Sequence, residues 1–334
     1  MAEPRSAFVT GGSGFIGGRL IRRLVGDGWR VRALARSDGS AAAVEGAGAE
    51  AVRGDLDEVE AMRAGAEGCA VTFHAAAYVR DWGKRADFER GNVVGTQNAL
   101  EASRAAGVQR FVHVGTEAAL LAGQPLVNAN ETAPLRPDSP ALYASTKAQA
   151  EQAVRGANVD GVFETVVVRP RFVWGVGDTS VLPSLVEAVE RGRFSWIGGG
   201  RHRTSTTNVD NTVHGLVLGA ERGRGGEVYF VTDGEPVVFR EFVTGLLETQ
   251  GVEVPDKNAP RGVVGALAFV GEALWRVLPL PGAPPVTRFA YWAASRECTI
   301  DISKARSELG YEPVTSIPEG LEALRRSAAA SAPA

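Results

Sequence analysis

Along the first half of the chain, short apolar runs alternate with longer segments whose apolar residues recur every three or four positions. The runs at 8–10, 31–35, 51–53, 71–74, 111–114 and 165–169 read as strands. The intervals between them read as crossover helices, and this alternation predicts an α/β fold: a doubly wound parallel sheet with helices on both faces. Between the first two strands Ile16, Leu20 and Leu24 fall four apart, forming one apolar helical face that Gly28 ends. Further helices are predicted over 86–106 and 142–155. Beyond about residue 175 the alternation loosens, glycine and proline cluster, and helical patterns dominate. Residues 1–176 are therefore expected to form one α/β domain, with 205–231 returning to its sheet. Residues 177–204 and 232–328 are expected to make a smaller, mostly helical domain, and 329–334 a fraying tail.

Composition narrows the classes. The 334 residues are 44% hydrophobic and 22% charged, as in an ordinary soluble globular protein. The 36 basic and 39 acidic residues are mixed along the chain, a net charge of -3 that leaves no footprint for nucleic acid. Cys69 and Cys298 suggest no disulfide framework, which fits a reducing cytoplasm. The first strand begins within about six residues of the N-terminus, so no signal peptide is expected. His74, His113, His202 and His214 are scattered without metal-ligand spacing, and no metal is expected. The least polar stretch, 262–282, contains Glu272 and Arg276 and is too short to cross ~30 Å of hydrocarbon. It is read as a lid helix over an apolar pocket, with peripheral membrane contact as the alternative.

Candidate chemistry begins at "FVTGGSGFIGGRL", residues 8–20, where the first strand turns into the first helix. Gly11, Gly14 and Gly17 in that setting permit a tight turn and close approach of a pyrophosphate to bare backbone, and the helix N-terminus favours phosphate. A tight turn with no ligand is the alternative. Ser13, Phe15 and Ile16 accompany the glycines as candidate cofactor contacts. At the end of the second strand an acidic residue would accept a ribose hydroxyl, whereas Arg36 and Ser37 stand there instead. Arg36 suits the extra charge of a 2′-phosphate, so NADP(H) is expected, with NAD(H) as the alternative. Asp38 is read as a turn acceptor. Asp55, with Leu56 after it, follows the third strand near an expected adenine edge, or else caps a helix.

In "SPALYASTKAQAE", residues 139–151, Ser139 and Pro140 are expected to start a helix on which Tyr143 and Lys147 share one face. A phenol titrates near 10, about three units above neutral pH, a gap worth ~4 kcal/mol that a neighbouring ammonium helps to close. Thr116, expected at the carboxyl end of the 111–114 strand, offers a hydroxyl for the reacting oxygen beside Tyr143.

With these residues in place the chain resembles the extended short-chain dehydrogenase/reductases over nearly its whole length. The likeness rests on the glycine turn, Asp55, "FHAAA" at 73–77, "NVVGTQNALEA" at 92–102, Thr116, Tyr143/Lys147, "VVRPRFVWG" at 167–175 and "DISKARSELGYEP" at 301–313. "NVDNTVHGLVLGA" and "PPVTRFAYW" make it most similar to the 3β-hydroxysteroid dehydrogenase branch. The resemblance implies Tyr143 as general acid/base, Lys147 as its electrostatic partner and ribose ligand, and Thr116 as orienting hydroxyl. It further implies Asn92 as support for a lysine-linked water chain, and Ala75, Ala76, Pro170, Arg171 and Phe172 around the cofactor. A helix cap for Asn92 and an ion-pair role for Arg169 are the structural alternatives. Family members resembling this chain often dimerise through the helices at 86–106 and 142–155, so a homodimer is expected.

The implied reaction interconverts a secondary alcohol and a ketone on an apolar, steroid-like or β-keto molecule. Tyr78, Trp82, Glu117 and Trp174 are candidate substrate contacts, and Trp196 joins the aromatic residues that line either the cleft or the core. Two alternatives share the scaffold. A sugar-nucleotide enzyme of the dehydratase type would want a second carboxyl group after Thr116-Glu117, where Ala118 stands, and an arginine near Thr204, where Arg203 lies one residue off. A nucleotide-sensing regulator would have no use for the Tyr/Lys pair.

Overall fold

A computed structural model of the protein describes residues 5–278 and 280–331. Its centre is a seven-stranded, all-parallel sheet: β1 (Ser6–Thr10), β2 (Arg30–Ala35), β3 (Glu50–Arg53), β4 (Val71–His74), β5 (Arg110–Val114), β6 (Glu164–Pro170) and β7 (Val228–Val231). The strands lie in the order β7-β6-β5-β4-β1-β2-β3. The order reverses between β4 and β1, which opens the ligand crevice of such sheets at their carboxyl ends. Helices cover both faces, so β4 and β7 are buried along their whole length and β1, β5 and β6 at all but their first residue, whereas the edge strand β3 stays partly exposed.

The first helix, α1 (Phe15–Gly26), buries Leu20, Ile21 and Leu24 and stops where Gly28 adopts φ +81°. It is followed by α2 (Asp38–Gly46), α3 (Val59–Ala66), α4 (Gly95–Ala105), α5 (Leu142–Gly156) and α6 (Val209–Arg222). The run predicted over 86–106 is helical but interrupted by a π-turn at Glu89–Val94 that contains Asn92. Asn92 therefore lies inside a helical run and caps nothing. Residues 209–222, within the stretch expected to return to the sheet, form the covering helix α6; only Val228–Val231 enters as a strand.

Two further helices flank the carboxyl edge: α7 (Arg261–Val277) and α8 (Arg288–Ser295). A four-stranded sheet, ordered Val237–Val238, Arg203–Thr204, Cys298–Ile300 and Leu126–Ala129, joins the late chain back to the body. The C-terminal helix Ile317–Ser331 takes in the first half of the 329–334 stretch expected to fray, and 332–334 lie outside the described residues.

What locks α5 onto the sheet is a buried ion pair. Arg169 on β6 donates from Nε to Glu151 Oε2 at 2.8 Å and from Nη2 to Oε1. Both side chains are excluded from water, and the guanidinium lies over the Phe230 ring of β7 at 5.0 Å. Ser145 Oγ adds a bond to the Pro137 carbonyl at 2.6 Å.

Arg169→Met leaves the Glu151 carboxylate buried and unpaired, so urea unfolding should lose about 3–5 kcal/mol. Adding Glu151→Leu in the same chain should recover much of that loss. A single-variant loss below ~1 kcal/mol would show that the pair does not hold the helix.

Candidate active site

The glycine turn divides its labour. A Cβ on Gly11, which sits at φ +72°, would come within 2.5 Å of the Ala76 backbone nitrogen. One on Gly17 would meet the Gly11 carbonyl oxygen at 2.1 Å, and one on Gly12 would strike the Ile21 side chain. These three glycines serve close packing inside the fold. Gly14 differs: it is the N-cap of α1, no side chain caps that helix, and its own Cβ would touch only the Gly11 carbonyl, at 3.3 Å. Beside it Ser13 is exposed and Phe15 and Ile16 are half-buried. The uncapped N–H groups of the first turn, facing the β1/β4 crevice, fit a phosphate-bearing cofactor.

On the other side of the crevice, Ala75 and Ala76 follow β4 and are held by Thr10. Thr10 carbonyl accepts from Ala75 N at 3.1 Å, and Thr10 Oγ accepts from Ala76 N at 3.4 Å. Arg36 is exposed at the end of β2. Ser37 caps α2 through a reciprocal bond with Ser40, and the Asp38 carboxylate pairs with Arg53 at the end of β3. Asp55 accepts from the Leu56 N–H at 2.8 Å; it does not cap α3, whose N-cap is Glu58. The Leu56 carbonyl takes a bond from Asn98 of α4 at 2.8 Å.

At the carboxyl end of β5 the chain turns at Thr116, whose hydroxyl accepts from Ala118 N and donates to Glu117 Oε2 at 2.9 Å. α5 starts at Leu142 with Ala141 as N-cap, two residues later than Ser139-Pro140 suggested; Ser139 Oγ reaches only the Ala141 N–H, at 3.4 Å. Tyr143 is thus in the first turn of α5, with its phenol within interaction range of Thr116 and Glu117. Burial, then the Glu117 carboxylate, push the phenol well above its ordinary value, while the Thr116 hydroxyl works the other way. The expected downward pull of Lys147 is not among these causes. Phe289 of α8 packs edge-on against the Tyr143 ring at 5.4 Å.

The Lys147 ammonium is buried and donates to the Val114 carbonyl at 2.9 Å and to His113 Nε2 at 3.1 Å. Burial lowers its pKa to about 8, with Glu151 opposing. His113 stacks on His74, and burial with the nearby ammonium holds both imidazoles neutral, His74 down to about 3. Asn92 does not touch the lysine: its Oδ1 accepts from Tyr78 N at 2.7 Å and its Nδ2 donates to Thr146 at 3.0 Å, clamping the neighbouring residue of α5.

Several expected contacts are placed otherwise. Trp174 is fully buried and donates to Asp233 at 2.7 Å, with Phe242 against its face, so it is core and unavailable to substrate. Trp196 is likewise core, boxed by Phe194 and Phe239. Phe172 adopts φ +45° and its ring packs on Phe239 and Phe242. Pro170 ends β6 beside it. Glu117 is buried and paired with Arg171 at 3.2 Å. Tyr78 packs edge-on to Phe88, and Trp82 lies under the Arg276 guanidinium of α7. Sequence reasoning missed His113, Phe289 and Arg276, whose roles arise from contacts far apart in the chain and leave no local signal. Thr204 is buried, and Arg203 donates to the Pro236 carbonyl. Among the described residues no cluster of His, Cys, Asp or Glu could hold a metal ion.

Comparison with known proteins bears on the family and the fold. The model of the 3-beta hydroxysteroid dehydrogenase/isomerase family matches residues 8–260. A 4-hydroxy-2-methyl-3-oxo-4-farnesyl-3,4-dihydroquinoline-1-oxide ketoreductase of Stigmatella aurantiaca is 49% identical over 319 residues, 96% of this chain and 95% of the relative. A 2-alkyl-3-oxoalkanoate reductase of Stenotrophomonas maltophilia is 38% identical, covering 96% and 99%. The fold is shared with UDP-glucuronic acid 4-epimerase from Bacillus cereus, solved in complex with NAD, at TM-score 0.74 and 19% identity over 97% and 99% of the two chains.

The lowered Lys147 value has a stability consequence. Between its folded value of about 8 and the ordinary 10.5 the unfolded chain binds more protons, so native stability rises with pH across that window. Relative to Lys147→Met, which lacks the titration, the parent should gain on the order of 2–3 kcal/mol from pH 7.5 to 10.5 in urea unfolding. Parallel pH profiles for the two proteins would refute the buried ammonium.

Proposed function

The chain belongs to the 3-beta hydroxysteroid dehydrogenase/isomerase family, and from that premise we propose that it reduces a ketone on a largely apolar molecule, using NADPH. It is a nicotinamide-dependent oxidoreductase acting on CH–OH and keto groups, like the relatives the family model and alignments identify. The observation that carries the finer reading is the meeting of Tyr143, Thr116 and Phe289 at the carboxyl end of β5.

The cofactor fits the uncapped start of α1 and the Gly14 position, with Arg36 and Ser37 at its ribose end and Asp55 and Leu56 toward its adenine. When bound, the nicotinamide supplies the hydride; the protein supplies position and the proton. Tyr143, kept protonated by burial and Glu117, is set as the acid that donates to the ketone oxygen. The Thr116 hydroxyl holds that oxygen, and Lys147, one helical turn on, keeps a buried positive charge at the same end of β5. Arg171 balances Glu117, so the carboxylate raises the phenol without adding net charge to the pocket.

The preference for NADPH is supported by an exposed Arg36 and by Arg53, which occupies the Asp38 carboxylate that would otherwise repel a 2′-phosphate. An apolar substrate is supported by the Phe289 ring over the phenol and by the relative whose named substrate bears a farnesyl chain. The reading includes a cytoplasmic homodimer paired through the helical runs at 86–106 and 142–155; the two free, buried cysteines suit a reducing compartment.

Tyr143→Phe should keep NADPH affinity and lose about 10²–10⁴-fold in kcat with a hydrophobic ketone; unchanged turnover would end the assignment. In a separate measurement, Arg36→Ala should cut kcat/KM for NADPH about tenfold or more and leave NADH nearly unaffected. An equal loss with both cofactors would remove the phosphate-binding role.

A further inference from the structure

Two buried imidazoles stand behind Lys147, and the chemistry proposed above uses neither. His74 on β4 and His113 on β5 are partners across the parallel ladder, fully excluded from water, with ring centroids 5.3 Å apart and planes 23° from parallel. His74 is held at both nitrogens, Nδ1 by the Thr10 hydroxyl at 2.7 Å and Nε2 by that of Thr96 at 3.0 Å. His113 is held at one. Its Nε2 meets the Lys147 ammonium at 3.1 Å, and its Nδ1 is buried with no hydrogen-bond partner among the described residues.

The lysine fixes the state of this ring. An ammonium has three donors and no acceptor, so His113 Nε2 must accept and the ring proton sits on Nδ1. That tautomer strands a buried N–H without an acceptor, which costs stability. The opposite tautomer would strand only a lone pair, but it would turn an N–H toward the cation. The interior thus carries an unsatisfied donor for the sake of one contact, Nε2 with the lysine. Packing alone has no use for that contact, since a leucine would strand no polar group there. The next residue on β5 joins in: the Val114 carbonyl accepts from the same ammonium at 2.9 Å. Two of the three lysine N–H groups are taken in this way, and the third is left for a ligand.

We propose that His113 is a positioning residue for the reaction: as the neutral Nδ1–H tautomer, stacked on His74, it keeps the Lys147 ammonium charged and in place one helical turn from Tyr143. The other titratable groups around the ammonium do not take over this task. Glu151, one turn further along α5, favours the cation, but its carboxylate is bonded twice to Arg169 of β6. Tyr143, one turn back, stays protonated, and His74 is neutral. The part played in turnover rests on the function proposed above; the tautomer and the hold on the lysine do not.

The chain has only four histidines and four lysines, Lys84, Lys147, Lys257 and Lys304, so nuclear magnetic resonance can follow each one. In ¹⁵N-histidine-labelled parent protein at neutral pH, ¹H–¹⁵N correlations should place the His113 proton on Nδ1 and the His74 proton on Nε2, opposite tautomers in one stacked pair. The signals lost in His113→Gln identify the ring. In ¹⁵N-lysine-labelled His113→Leu the Lys147 midpoint should fall by about one unit, because the charged form has lost an acceptor. Activity that needs the cation is lost as pH rises through that midpoint. From the parent value of about 8, kcat for NADPH-dependent ketone reduction at pH 8 should therefore drop about fivefold in His113→Leu, with KM for the ketone little changed. His113→Gln, whose side-chain carbonyl can replace Nε2 as acceptor, should restore both the midpoint and the pH profile. A His113 proton found on Nε2 in the parent would overturn the proposal with no variant needed. So would an unmoved lysine midpoint in folded His113→Leu; if that variant does not fold, the parent tautomer decides. The expected tautomer and lysine shift in a protein that reduces no ketone would refute the function and leave the hold on Lys147 intact. Ketone turnover with the proton on Nε2 would do the reverse.

Discussion

The Arg169–Glu151 pair is the constraint from which the rest of the site follows. Two charges with no access to water repay their desolvation only when both hydrogen bonds are well formed, so the pair tolerates little rotation of α5 against β6. Tyr143, Lys147 and Glu151 lie four residues apart on that helix and share one face. Once Glu151 is seated on Arg169, the phenol and the ammonium are aimed at the carboxyl end of the sheet. Lys147 on Val114, Asn92 on Thr146 and Ser145 on Pro137 then fix the same helix from three other sides.

Charge in this interior is balanced pair by pair. Arg169 answers Glu151, and Arg171 answers Glu117. Lys147 has no carboxylate within ion-pair distance among the described residues; its partners are a carbonyl and a neutral imidazole. That is why burial lowers its pKa while His74 and His113 stay uncharged beside it. The hydrogen bonds around His74 are self-consistent with a neutral ring. Thr96 gives its hydroxyl proton to the Asn92 carbonyl, which leaves His74 Nε2 as the donor to Thr96 and Nδ1 as the acceptor from Thr10.

The second region contributes apolar walls and an outer face rather than reactive groups. Phe172, Trp174 and Trp196 are spent on apolar clusters with Phe239 and Phe242 of the later chain. Phe289, by contrast, crosses to the Tyr143 ring, and Arg276 crosses to the residue ahead of α5. The apolar helix α7 is therefore tied to the reaction centre on one side while its other side is bare.

The chain alone determined the alternation of strand and helix, the glycine turn, and a tyrosine and a lysine four residues apart, because these are local patterns set by backbone sterics and helical period. It marked strands to within about a residue at most ends. The tertiary structure decided which aromatic residues are core, that Gly11, Gly12 and Gly17 serve packing while Gly14 stays uncrowded at the start of α1, and that Asn92 is a clamp inside a π-turn. It also decided that burial and then Glu117 raise the phenol's pKa, and that His113 and Val114 hold the lysine. Each of these depends on the burial of a group and on partners distant in the chain, from Glu117 with Arg171 to Phe289 with Tyr143. Desolvation and such pairings exist only after packing, so no local pattern of residues encodes them.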